Sequence, residues 1–198
     1  EDIYYYNENK DSLDNNHQNR LILRAKNHIF YRYEVIHSLG KGAFSNVYLC
    51  KDHKRNINVS VKVIRNEKRF HKQANKCEIP ALLKIADINH KNLVKVLKIF
   101  DYNQHICISF ELLKTDLYEK LKENKFTPFD INTVKKYSKQ ILLGLEALIS
   151  LDIIHCDLKP ENIMVTRDDN IKIIDLGSCY IIKKKELMTN TYIQSRYY

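Results

Sequence analysis

Hydrophobic residues recur in two-residue steps through much of the first half of the chain and in three- and four-residue steps through much of the second. Tyr33-Glu34-Val35-Ile36-His37-Ser38-Leu39 partly alternates and reads as a strand, and a second strand runs through Tyr48-Leu49-Cys50. In Asn58–Arg65, Val59, Val61 and Val63 share one face and Ser60 and Lys62 the other. Leu93–Tyr102 and His105–Leu112 read as two more strands joined by Asn103-Gln104. Phe70–Ala86 reads as a helix interrupted by Pro80. A proline inside a helix costs about 3 kcal/mol, so the helix either restarts there, with Pro80 in its first turn, or kinks. Leu117–Leu121 opens a short helix. From Asp130 onward, Ile131, Val134, Tyr137, Ile141, Leu145 and Leu148 mark a long one, with Asp130 as its N-cap and its apolar stripe mainly core. Ile163–Val165 and Ile171–Ile174 are short strands around a turn at Asp168-Asp169-Asn170. Strands dominate to about Leu112 and helices follow, which predicts an α+β chain with a β-rich lobe, a hinge and a helical lobe. Residues 1–28 are polar and Asn-rich, and apart from Leu21-Ile22-Leu23 they carry no period, so disorder or a loose β-arm is expected.

Composition narrows the class. Hydrophobic residues are 44% and charged residues 29% of the chain, as in soluble globular proteins. No apolar run reaches membrane-span length and no secretory leader opens the sequence, so no membrane partner is expected. Cysteines 50, 77, 107, 156 and 179 form an odd, scattered set that fits a reducing compartment, hence an intracellular protein, cytoplasmic and/or nuclear. Net charge is +9, but the lysines are dispersed without interleaved aromatics, so no nucleic acid is expected as a partner. The chain opens on Glu1 and its only methionines are Met164 and Met188, which reads as a piece of a longer product.

The candidate chemistry centres on His155-Cys156-Asp157-Leu158-Lys159-Pro160-Glu161-Asn162, followed by Asp175-Leu176-Gly177. This is a layout for phosphoryl transfer. Asp157 is placed to accept a hydroxyl proton and Lys159 to neutralise the moving group, while Asn162 and Asp175 offer oxygens to Mg²⁺. Upstream, Gly40-Lys41-Gly42 forms a turn between strands, where backbone N–H groups can approach phosphates. Lys62 on the next strand is a candidate phosphate ligand. Glu78, the only acid between Glu67 and Asp87, is its candidate partner.

In order, Gly40–Val47, Lys62, His155–Asn162 and Asp175–Gly177 resemble the motif set of eukaryotic protein kinases. The finer resemblance is to the dual-specificity tyrosine-regulated kinases, class II. It rests on Tyr31-Arg32-Tyr33-Glu34-Val35, Arg65–His71, Phe110-Glu111-Leu112-Leu113, His155–Asn162 and Tyr192-Ile193-Gln194-Ser195-Arg196. The homeodomain-interacting kinases share part of this pattern. The resemblance implies a bilobal protein-kinase fold with an N-terminal extension at 1–28, an N-lobe and hinge at 29–113 and a partial C-lobe at 114–198. It implies ATP- and Mg²⁺-dependent transfer to Ser/Thr of protein substrates, with autophosphorylation of Tyr192 and its phosphate held by Arg196. It also implies that Leu39, Gly40, Lys41, Gly42, Val47 and Lys62 line the nucleotide, with Phe110 as gatekeeper. Glu111 and Leu113 would serve adenine, and Asp116 the ribose.

Several positions depart from the pattern. Ser45 stands for the third loop glycine, Ser60 for the alanine lining the adenine pocket, Cys156 for an arginine and Leu176 for a phenylalanine. Lys183-Lys184-Lys185 extends the activation segment, and Asn190 stands for the first tyrosine of a Tyr-x-Tyr pair. The sequence stops before the rest of the helical lobe, so the long helix is expected to expose apolar surface. With Pro80 and Ser45, that leaves a truncated or pseudokinase regulatory module as the alternative reading.

Overall fold

The computed structural model describes residues 15–16, 19–182 and 193–195, and the chain divides into two units. One comprises Glu1–Gln73 with Val96–Leu112, the other Ala74–Lys95 with Leu113–Tyr198. The boundary expected at residue 113 put 74–95 with the strands; here they group with the helical unit.

The first unit begins with a small ladder of β1 (Asn15–Asn16) and β2 (Arg20–Leu21). Its main sheet is antiparallel and six-stranded, in the order β3-β4-β5-β6-β8-β7. The strands are β3 (His28–Ile29), β4 (Tyr33–Lys41), β5 (Ser45–Asp52), β6 (Ile57–Ile64), β7 (Val96–Tyr102) and β8 (His105–Glu111). Helix α1 (Lys68–Gln73) follows β6. The valine alternation in β6 places Val59, Val61 and Val63 in one core with Tyr48, Cys50 and Cys107. Leu21 and Leu23 are buried in that same core, so at least this part of the polar N-terminal stretch is anchored by its short apolar run. Asn103 and Gln104 both have positive φ (45° and 62°), the backbone a two-residue turn needs to match the twist of β7 and β8.

A buried ion cluster pins the end of β5. Asp52 is fully buried and accepts from Arg32 Nε at 2.8 Å and Nη2 at 2.7 Å, and from Arg55 Nη1 at 3.1 Å. The amides of Lys54 and Arg55 also donate to it, at 3.0 and 3.3 Å. Burial alone would raise the Asp52 carboxyl, but these donors outweigh it and hold the carboxyl below its ordinary range.

The second unit starts with a π-helical turn at Ala74–Glu78, followed by α2 (Ile79–Ile88) with Pro80 in its first turn. As one of the two outcomes expected at Pro80 had it, the proline falls in the first turn of α2, which the π turn enters without a break, Glu78 being itself helical (φ −62°, ψ −54°). The proline needs no donor there, and the wide turn precedes it. β9 (Thr115–Asp116) leads into α3 (Leu117–Glu123), then α4 (Ile131–Ser150) and β10 (Ile153–Ile154). β11 (Ile163–Val165), β12 (Ile171–Ile173) and β13 (Tyr180–Ile181) complete the described elements. β12, β11 and β9 form one small sheet and β10 pairs with β13. Asp130 caps α4 as expected, accepting from the amides of Asn132 (2.9 Å) and Thr133 (3.0 Å). The α4 stripe is core only in part. Tyr137 and Leu148 are buried and Ile141 and Leu145 half-buried, whereas Ile131 and Val134 are exposed. Gly144 allows the closest approach: a Cβ there would sit 2.9 Å from Ile173 Cδ1 and 3.1 Å from the Asn92 carbonyl. Among the described residues, no helix is long and apolar enough to cross a membrane.

Candidate active site

In the first unit, register decides which side chains meet. Val47 lies opposite Lys62, and Lys62 opposite Ile108; Ser60 lies opposite Leu49 and Phe110. Directly opposed residues share a face, so Val47, Lys62, Ser60 and Phe110 stand together on the face turned away from the valine core. Gly40 pairs with Val47 and Lys41 with Asn46, and the Gly42 amide donates to the Ser45 carbonyl at 2.8 Å to close the hairpin. Leu39, next to Gly40, is exposed. Neither hairpin glycine uses a positive φ, and a Cβ on Gly40 would meet nothing within 4 Å. The chain itself therefore does not require a glycine at 40, and the open space fits a group approaching from outside. Ser45 is buried in β5, opposite Ile64, with no need of glycine torsions. The Ser60 hydroxyl finds its partner in the carbonyl of Glu111, at 3.4 Å.

The second unit holds the acidic end. Lys159 Nζ lies 2.9 Å from Asp157 Oδ2. Asn162 Nδ2 donates to the Asp157 carbonyl at 2.8 Å and to Oδ2 at 3.1 Å. Both bonds use the amide nitrogen, so the oxygen end of Asn162 is the one suited to a cation. The Ile174 amide donates to the Asn162 carbonyl at 3.0 Å, which ties the neighbour of Asp175 to Asn162. Asp175 is exposed, with φ 58° and ψ 79°, and its Oδ1 accepts from the Gly177 amide at 3.3 Å. Cys156 is also left-handed, at φ 64°. Left-handed non-glycine residues cost about 1 kcal/mol or more each, and here they flank the acidic cluster. Oxygen donors from one amide and one carboxylate are a donor set that suits Mg²⁺.

His155 sets the loop's frame. The Asp157 amide donates to its Nδ1 at 3.2 Å, so Nε2 carries the hydrogen and donates to the Ile174 carbonyl at 2.8 Å. Burial is the main cause that lowers the His155 pKa and favours this neutral form. For Asp157, burial raises the carboxyl, but bonds from Ser195, Lys159 and Asn162 outweigh it and hold it below the ordinary range. Lys159 is raised, first by its bond to Asp157.

Two residues of the Tyr192–Arg196 stretch have roles at this loop that the sequence did not assign. Ser195 Oγ donates to Asp157 Oδ1 at 2.6 Å, and Lys159 Nζ lies 3.4 Å from the same hydroxyl. Gln194 brackets the loop: its amide N donates to the Cys156 carbonyl at 3.1 Å, its Oε1 accepts from the Leu158 amide at 3.0 Å, and its Nε2 donates to the Leu158 carbonyl at 2.5 Å. Neither role has a local signal, because the partners lie 36 and 38 residues away. Asp116, expected near a ribose, caps α3 by accepting from the Glu119 amide at 2.8 Å. Glu78 is buried in the second unit and Lys62 belongs to the first. Leu113 is half-buried at the start of the second unit. Tyr192 and Arg196 lie outside the described residues.

Comparison with known proteins agrees with this geometry. The protein kinase domain family model matches residues 33–198. Dual specificity tyrosine-phosphorylation-regulated kinase 3 of Homo sapiens is 44% identical over 178 residues, 87% of this chain and 30% of that protein. Kinase 4 of the same name in Homo sapiens is 43% identical over 194 residues, 96% of this chain and 36% of that protein. The kinase mbk-2 of Caenorhabditis elegans is 43% identical over 183 residues, 89% of this chain and 22% of that protein. The chain thus spans between 22% and 36% of the length of these relatives. It belongs to the protein kinase domain family, and within it is similar to the dual-specificity tyrosine-phosphorylation-regulated kinases.

Proposed function

We propose that this protein transfers the γ-phosphoryl group of ATP to Ser and Thr hydroxyls of protein substrates, and to its own Tyr192. The observation that carries the reading is the Asp157 carboxylate, held by Lys159, Asn162 and Ser195 at 2.6–3.1 Å. A carboxylate kept ionised orients a substrate hydroxyl by accepting its hydrogen bond. It takes the proton as the oxygen bonds to phosphorus and the bond to the β-phosphate oxygen breaks. Lys159 places positive charge beside the moving phosphoryl group. Asn162 and Asp175 are the residues to hold Mg²⁺, which when bound neutralises charge on the phosphates. Leu39, Gly40, Lys41, Gly42 and Val47 are the hairpin positions for the nucleotide, and Lys62 the cation for its α- and β-phosphates. Phe110 borders adenine, while the Glu111 and Leu113 backbones bond it. Asp116 has one oxygen beyond its cap for the ribose. Arg196 holds the phosphate of Tyr192.

The test is to express the parent protein in bacteria, wild type beside Asp157→Asn, and map phosphate on Tyr192 by mass spectrometry. Phosphate in the wild type and none in the variant supports the reading. An unmodified Tyr192 in a folded wild-type protein, with no transfer to a peptide, overturns it.

A further inference from the structure

We propose that His28, Glu34 and His53, on the strand ends of the first unit, form a binding site for a transition-metal dication, with Zn²⁺ the best-matched ion. One ligand atom from each lies within 4.8 Å of the other two. His53 Nε2 is 2.9 Å from Glu34 Oε2, and the two imidazoles are stacked with centroids 6.0 Å apart. A tetrahedral zinc site with bonds of about 2.1 Å needs ligand atoms about 3.4 Å apart. The His53–Glu34 separation is about 0.5 Å short of that value and no pair of the three exceeds 4.8 Å, so small side-chain rotations close the site.

Register places two of the three residues by rule and the turn after β5 brings the third. His28 lies directly opposite Glu34, so the two share a face. Glu34 lies opposite Lys51, and His53 sits in the turn just past the end of β5, where its ring reaches Glu34. Each backbone is pinned. The His28 carbonyl accepts from the Tyr102 hydroxyl at 3.1 Å, and the His53 amide donates to the Arg32 carbonyl at 3.1 Å. Asp52, next to His53, is locked in the buried cluster with Arg32. With His28 and Glu34 on paired strands and the turn at His53 tied to Arg32, the ligands need little ordering when an ion arrives.

The donor set selects the ion. Two imidazoles and one carboxylate suit Zn²⁺ and its neighbours, whereas Mg²⁺ and Ca²⁺ prefer oxygen alone. All three side chains are half-buried, so solvent reaches the site and water can supply the fourth ligand.

The test titrates Co²⁺ into the metal-free purified protein in excess Mg²⁺, then displaces it with Zn²⁺ against a competing chelator. The expected result is one equivalent bound, a visible cobalt spectrum without a thiolate charge-transfer band, and displacement by Zn²⁺. His53→Gln, Glu34→Gln and His28→Ala should each weaken binding by at least about tenfold while far-ultraviolet circular dichroism stays unchanged. Should His28→Ala fail to fold, the two conservative variants still decide. A thiolate band, unchanged affinity in the folded variants, or no binding at micromolar metal overturns the proposal, leaving Glu34 and His53 as a plain hydrogen-bonded pair.

Discussion

Replacing Asp52 by asparagine removes one charge from a site with no solvent to compensate it. The Asp52 side chain is fully buried and that of Arg32 is 7% exposed. The substitution keeps one oxygen but turns an NH₂ group toward a guanidinium that has only donors. Breaking a buried pair from one side costs about 3–5 kcal/mol, because the remaining charge stays desolvated. With a urea slope of about 2 kcal/mol/M, the unfolding midpoint should drop by about 1.5–2.5 M at constant slope. The double variant Arg32→Met, Asp52→Leu removes both charges and should lie within about 1 kcal/mol of wild type or above it. Acid adds a second test. The carboxyl is held below its unfolded value of about 3.9, so the pair's contribution is complete above that pH and is lost as pH falls through the folded value. The Asp52→Asn variant should lack that loss. A cost below about 1 kcal/mol for Asp52→Asn, or equal costs for the single and double variants, would refute the argument that desolvation of Arg32 dominates.

Gly144→Ala gains about 1 kcal/mol of helix propensity but forces a methyl against Ile173 and the Asn92 carbonyl, costing about 1–3 kcal/mol; a thermal melt should show a lower Tm, and a rise would sink the packing argument. Ser195→Ala deletes a 2.6 Å bond to Asp157 and should lower kcat by about tenfold with KM for ATP unchanged; an unchanged kcat in steady-state assays contradicts this. His105 and His155 are lowered mainly by burial, so below pH about 6.5 the unfolded chain binds more protons than the folded one and stability falls as pH drops toward the folded values. Urea midpoints measured at about pH 7.5 and about pH 5.5 check it, and a midpoint that rises on acidification would contradict it.

Where a signal was local, the sequence was enough to read it. The valines of β6, the Asp130 cap and the Asn103-Gln104 turn all follow from residues within a few positions of one another. The acidic constellation was legible for a similar reason: Asp157, Lys159 and Asn162 sit within one loop, and their bonds form inside it. Pro80 was legible only as a disjunction, because propensity does not distinguish a kink from a restart behind a π turn. The α4 stripe misled at Ile131 and Val134, since periodicity marks an apolar face without saying what covers it. Ser195 and Gln194 could not be derived, because their partners come from the far end of an intervening hairpin.

Gly40 has an evolutionary consequence. Glycine in a strand costs about 0.5–1 kcal/mol relative to alanine, and at this position neither a left-handed torsion nor a crowded neighbour compensates for it. Folding alone would therefore drift this position toward a larger residue. Under the proposed function, a nucleotide approaching this face is what would favour glycine there. A lineage that stopped binding its ligand would be free to lose Gly40 first, and would grow more stable as it did so.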